Sequence, residues 1–378
     1  MRQFLTILTL ALLCCLSAAR GESVLTLKTG HFKIEVDFHP QANLIYQLDC
    51  LTQVGRCTSE VFERLWRQEL ALNANDQALL DEWASIRKKF GDADGAKDPT
   101  LPVKASYPIR VDDDGRPWNK LRWAEFRARD RAELKRIWSA LMAADAADRL
   151  LKIFDAFGQR FDLWWSDHES EAKKFISSIA DSMRQARAAE ILAATARLYR
   201  SELEDRHVFL HLMLQPKSKD GHSRATRIGA HMVVEILPDE QAVDRVDVIV
   251  HELAHHIFGR MPTTQKVKLV DALLATGSTG VPAWILFDEV QATVIGNYLA
   301  DRNALTPERF QRKLDRPLSL YNEELIDLGA RATVQVFENA LKSGRVLPRT
   351  FPEDFVVALR AGLGEKLDAP SLHLRSMV

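Results

Sequence analysis

Val250-His251-Glu252-Leu253-Ala254-His255-His256-Ile257 is the stretch on which the reading of this 378-residue chain turns. Pro238-Asp239-Glu240 ahead of it reads as a helix start, with Asp239 as cap and an acid in the first turn. The helix is expected over Val243 to Phe258, with Gly259 at its C-terminal end. No Pro or Gly interrupts it, and Val248, Leu253 and Ile257 supply an apolar stripe. His251 and His255 stand at i and i+4, so both imidazoles lie on one face and can reach a single ion. Glu252 is turned away by one residue step, which suits a base acting on a water at that ion rather than a ligand. Two neutral imidazoles select a borderline-soft dication, and one zinc ion is the expected cofactor.

A catalytic zinc needs a third protein ligand and one open position. A Gly at 258 and a His at 261 would complete a metzincin pattern, but the chain has Phe258 and Met261. Between His256 and Asp288 there is no His and no Glu, and the only acid is Asp271. Asp288 and Glu289 come next, on an expected second helix over Ala283 to Ala300. There Glu289, Ala292, Thr293 and Gly296 share a face, and the three small residues would let this helix approach the first closely. Asp288 should point elsewhere, toward Gln291 and Ile295. Glu289 is therefore the expected third ligand.

His251-Glu252-Leu253-Ala254-His255 followed by Glu289 on a later helix resembles the gluzincin group of zinc metallopeptidases. The resemblance covers Val208 to about Ala300. It implies that His251, His255 and Glu289 bind zinc and that Glu252 is general base and then proton donor. It also implies a thermolysin-like catalytic core and a peptide or protein substrate. Glu289-Val290-Gln291-Ala292-Thr293 is similar to a Glu-x-x-Ala-Asp pattern in which the Asp orients a zinc-bound His from behind. Here Thr293 stands in that place, so Thr293, Asp244 or Asp247 would carry that task. The alternative is a zinc-stabilised binding protein whose peptidase site is vestigial.

The oxyanion of the reaction needs a further donor. His231, on the strand before the zinc helix, and Tyr321, in a later segment, are the candidates. Tyr298, nine residues past Glu289, should face away. His207 to Leu214 alternates, as do Ile228, Ala230, Met232, Val234 and Ile236, with a turn signal at Asp220-Gly221 between them. These runs read as an antiparallel pair of strands. The Arg227 to Leu237 strand is the expected edge for a substrate backbone. His207, His211 and His222 would meet only if this hairpin gathered them. His256 sits about 100° around the helix from His255 and is expected to pack or support.

Outward from this core, the fold class is α+β, mainly helical, with a small antiparallel sheet beside a zinc-binding helix pair. Residues 1–19 read as a signal peptide: Arg2, the apolar run Phe4 to Leu16, then Ser17-Ala18-Ala19. Residues 20–120 form an N-terminal α/β region opened by the alternating run His31 to Phe38. It ends in a Pro/Gly/Asp-rich loop, Gly91 to Asn119. Residues 121–205 are helical, with Trp164-Trp165 and Asp167-His168-Glu169 as core edge, and 206–378 form the catalytic region. After signal removal two cysteines remain, Cys50 and Cys57, expected to bridge in an oxidising compartment, periplasmic or extracellular. No later segment is long and apolar enough to span a membrane. Lys plus Arg is 51 against 52 Asp plus Glu, which argues against a nucleic-acid binder. Nothing in the sequence speaks to oligomeric state.

Overall fold

The computed structural model describes residues 25–29, 32–55, 57, 59–92, 117–201, 207–217, 224–344 and 346–368. The expected signal segment, most of the Pro/Gly/Asp-rich stretch, the expected Asp220-Gly221 turn and His222 lie outside them. The described residues form a mainly helical α+β molecule around one mixed sheet of five strands, in the order β1-β2-β3-β5-β4. The strands are β1 (Leu25–Thr29), β2 (Phe32–Asp37), β3 (His207–Leu214), β4 (Ala225–Ile228) and β5 (His231–Ile236).

The sheet is not antiparallel throughout. β3 pairs with β2 and with β5 in parallel, while β1 on β2 and β4 on β5 are antiparallel. The alternating run from Ile228 to Ile236 is broken by a turn at Gly229-Ala230, where Gly229 takes φ 59°, open to glycine at little cost. The expected hairpin between 207–214 and 228–236 is therefore a hairpin of β4 and β5. β5 inserts between β4 and β3, with Leu210 beside Met232 and Leu212 beside Val234. Burial explains the parallel pairing: β5 is buried along its whole length and β3 from Val208 onward, so both faces of the sheet centre are covered.

Parallel strands need a crossover connection. Residues 38–206 supply the one from β2 to β3. It includes α1 (Pro40–Leu51), α2 (Ser59–Gln68), α3 (Ala74–Asp92), α4 (Pro117–Phe126), α5 (Arg131–Leu141), α6 (Ala144–Gln185) and α7 (Ala188–Tyr199). α6 has 42 residues, about 63 Å of helix. Its stripe of Leu150, Phe154, Phe157, Phe161, Trp164, Trp165, Phe175 and Ile179 is buried, and Trp165 packs on Phe38 just beyond β2. His168 folds back on its own helix, stacked on Trp164. On α1, Asn43 donates to Leu212 O at 3.2 Å and accepts from Leu214 N at 2.6 Å, which fastens that helix to the end of β3. Cys50 and Cys57 are joined in a disulfide, Cα to Cα 5.8 Å. Arg87 is fully buried and bonds both Glu125, at 2.7 Å, and Asp49, at 2.8 Å. Among the described residues no helix is long and apolar enough to cross a membrane.

After the sheet come α8 (Val246–Gly259), α9 (Thr263–Leu274), α10 (Gly280–Thr293), a π-helical segment Val294–Ala300, α11 (Asp301–Ala304), α12 (Pro307–Leu314), α13 (Glu324–Lys342) and α14 (Phe351–Leu363). Two boundaries differ from expectation. A short 3₁₀ turn, Ala242–Asp244, precedes α8, so α8 starts at Val246 and Asp239 does not cap it. Asp239 is instead exposed and paired with Lys217. The second helix begins at Gly280, with Pro282 in its first turn, and leaves α geometry after Thr293.

Candidate metal centre

α8 is fixed on two sides. His256 Nδ1 meets the backbone oxygen of Gly229 at 3.1 Å, which ties α8 to the β4–β5 turn. On the other side Gly296 of the π segment lies against the α8 backbone. A Cβ at 296 would stand 2.5 Å from both Asp247 O and His251 N. Only glycine permits that approach, and it brings the carboxylate of α10 to the imidazoles of α8.

His251, His255 and Glu289 converge. The two Nε2 atoms are 3.0 Å apart, and Glu289 Oε2 is 3.5 Å from each. The far nitrogens are both engaged: His251 Nδ1 with Asn297 Oδ1 at 2.8 Å, and His255 Nδ1 with Asp288 Oδ1 at 2.7 Å. Asn297 Nδ2 donates onward to Asp247 Oδ2 at 3.2 Å, so its oxygen is the atom facing His251. Both Nδ1 atoms are therefore the N–H donors, which leaves each Nε2 free to offer a lone pair to an ion that displaces the proton. Glu289 Oε2, buried and without a hydrogen bond, presents another. Three electron-rich atoms facing one point repel unless a proton or a metal cation lies among them. Tetrahedral zinc with bonds of about 2.0–2.2 Å separates its ligand atoms by about 3.3–3.5 Å. The two 3.5 Å sides of the observed triangle match that spacing, and the 3.0 Å side between the imidazoles is a little short of it.

The electrostatics point the same way. Burial pulls the His255 imidazole down, but Asp288 and Glu289 overcome it and raise it to about 10. Burial pushes Glu289 up, but His251 and His255 hold it well below the usual carboxylate range. A site that holds a proton so strongly also favours a dication in its place. Burial draws the Arg227 guanidinium down, against the pull of Glu252 and Asp288.

Glu252 is nearly buried and lines a cleft of about 520 Å³ together with His251, Asn297 and Tyr321. The β4 residues Ala225 and Thr226 form another wall. Tyr321 stacks on His251, with ring centroids 5.9 Å apart. Its hydroxyl is raised by burial and by the nearby Glu289 carboxylate, so it stays protonated.

Several expected placements are corrected. His231 is not at this site. It lies in the sheet, stacked on Trp123 with centroids 4.6 Å apart and bonded to His211 at 2.9 Å. Thr293 is fully buried, its hydroxyl has no hydrogen-bond partner, and it orients neither histidine. Asp247 reaches His251 only through Asn297, and Asp244 pairs with Arg309 instead. Asp288 does meet Gln291, at 3.2 Å, but the same oxygen also braces His255. Of the expected edge strand only the β4 part lies at an edge of the sheet, since β5 is interior. His207 pairs with Glu35 and does not join His211. Tyr298, by contrast, faces away as expected and packs on Phe310.

Sequence reasoning missed Asn297. Eight residues of α-helix end about 80° past the starting face, which would carry Asn297 away from Glu289. The wider π turn absorbs about one residue and returns it to the metal face. The available signal was a Gly-Asn pair inside the apolar run Val294–Ala300. No protein-family model matches the chain, and no curated protein and no solved structure is similar to it.

Proposed function

We propose that this chain is an exported zinc-dependent metallopeptidase of gluzincin type, with a thermolysin-like arrangement of edge strand, zinc helix and ligand helix. The observation that carries the reading is the convergence of three potential ligand atoms, His251 Nε2, His255 Nε2 and Glu289 Oε2, beside Glu252 in an open cleft. A bound zinc ion supplies Lewis acidity and a water acidified toward neutrality.

The chain's own residues do the rest. Glu252 takes a proton from the attacking water and passes it to the leaving amine. The protonated Tyr321 hydroxyl is a donor for the developing oxyanion. β4 presents unpaired backbone groups along its outer edge, a template for an extended peptide. Asn297 and Asp288 fix the tautomers of His251 and His255. The Cys50–Cys57 disulfide fits an oxidising compartment outside the cytoplasm.

The alternative, a zinc-stabilised binding protein, drew its support from Thr293 standing where an orienting acid was expected. Asn297 and Asp288 do that orienting, which weakens the alternative. The test is zinc content together with chelator-sensitive cleavage of a mixed peptide library, repeated with Glu252→Gln. The peptidase reading expects one zinc per chain in both proteins, with cleavage lost in the variant. Zinc binding without cleavage in the parent chain would leave the binding protein.

A further inference from the structure

A second chamber, of about 560 Å³, lies beside the metal cleft. Leu318 and Ser319 line both. The partition is fixed: Leu318 holds φ 53°, and the segment around it is clamped from α13. Asp327 accepts from the backbone of Leu320 and Tyr321 at 2.8 and 3.3 Å. Arg331 donates to Ser319 Oγ at 2.7 Å and to Arg316 O at 3.0 Å.

The chamber's charges do not cancel. Arg309, Arg312 and Lys313 come from α12, and Arg316 follows just beyond it. Three carboxylates face them, and all three are taken. Asp244 pairs with Arg309, and Asp247 and Asp301 both pair with Lys313. Among the described residues no carboxylate pairs with the Arg312 or Arg316 guanidinium. Burial and the neighbouring Asp247 raise the Asp301 carboxyl, which lowers the negative charge further. Guanidinium is the side chain suited to bidentate carboxylate recognition.

We infer that Arg312 and Arg316 form an anion subsite that selects peptides carrying an Asp or Glu a few residues from the bond placed in the metal cleft. The shared wall makes the two chambers reachable by one extended chain. This deepens the peptidase reading and rests on it.

The test uses the zinc-loaded full chain and paired peptides that differ only by Glu or Gln at each position along the sequence. The Glu peptide should be cut with kcat/KM about ten-fold higher at one position, an advantage that shrinks with added salt. The double variant Arg312→Glu, Arg316→Glu should abolish or reverse that preference and leave the Gln peptides unchanged. Both side chains are exposed, and a matching melting temperature verifies the fold. Equal rates for Glu and Gln peptides at every position, or a preference that survives the double variant, overturn the subsite and leave the peptidase reading intact. If no peptide is cut, the peptidase reading fails, and binding decides the subsite. A labelled Glu peptide should then bind the parent chain about ten-fold tighter than its Gln partner and lose that margin in the double variant. Equal binding overturns the subsite there too.

Discussion

Asn297 accepts from His251 while donating to Asp247, so the imidazole's tautomer is set by a side chain one widened helical turn beyond the metal-facing carboxylate. Asp247 in turn is held as a carboxylate by Lys313, which overcomes the upward push of burial. His251, Asn297, Asp247 and Lys313 thus form one polarised line leading away from the proposed metal position. Its first link sets how firmly the metal is gripped.

Asn297→Ala should weaken zinc binding by about 10- to 100-fold, the usual effect of removing the partner of a ligating histidine. Thr293→Ala should leave it unchanged, because the Thr293 hydroxyl orients neither ligand. Competition against a chromophoric chelator measures both. The reverse ranking would restore Thr293 as the orienting residue.

Gly296→Ala should separate α8 from the π segment, since the added methyl would meet Asp247 O and His251 N at 2.5 Å. The backbone cannot give way as a flexible side chain would, so a loss of about 1–3 kcal/mol is expected. Zinc stoichiometry should fall with it. Thermal melts and metal analysis on the same sample check the pair; unchanged values in both would mean the helices are not in that contact.

Tyr321→Phe should lower kcat/KM by about 10²–10³ and leave one zinc per chain, because the phenol donates to the reaction and is not a ligand. Asp327→Asn should act in the same direction but more weakly, since it loosens the segment that presents Tyr321. An undiminished rate for Tyr321→Phe would remove it from the mechanism.

His211 and His231 predict an acid limit on stability. Burial, reinforced by Arg127 and His207, lowers His231 to about 3, and burial next to His231 lowers His211 well below its ordinary value. Asp37 stands 3.3 Å from His211 Nδ1, yet neither atom is in a hydrogen bond, so it does not rescue the charge. Folded, both rings stay neutral; unfolded, both take protons below about pH 6.5. The unfolded chain then binds more protons, so stability is full above that pH and falls as acid is added. The slope is about 1.4 kcal/mol per pH unit for each ring. Denaturant titrations between pH 7 and 5 should show it, and His231→Gln should remove about one ring's share. A flat profile would contradict the buried, neutral pair.

The convergence of His251 and His255 was legible because an i, i+4 spacing puts two rings over one point in any α-helix. Glu289 followed from eliminating other acids and from the small residues beside it. Asn297 was not legible, because α periodicity misplaces it by a turn that only the π segment supplies. The sheet shows a second limit. Alternation at Val208 to Leu214 and at Met232 to Ile236 tells which side chains share a face, but not which strand is the neighbour or in what direction. His231 failed for a related reason. It precedes the zinc helix closely in sequence, yet with Val233 and Glu235 it belongs to the face that meets Trp123 and Tyr46.

The link from β2 to β3 bears on how such an enzyme could be kept silent. Its helices cannot be a detachable propiece trimmed away to switch activity on. Cutting them out would strip β3 of its partner on one side and lay bare a long apolar edge, an invitation to clumping. Restraint on the proposed hydrolase activity would have to come from what fills the cleft and not from shedding the first half of the chain.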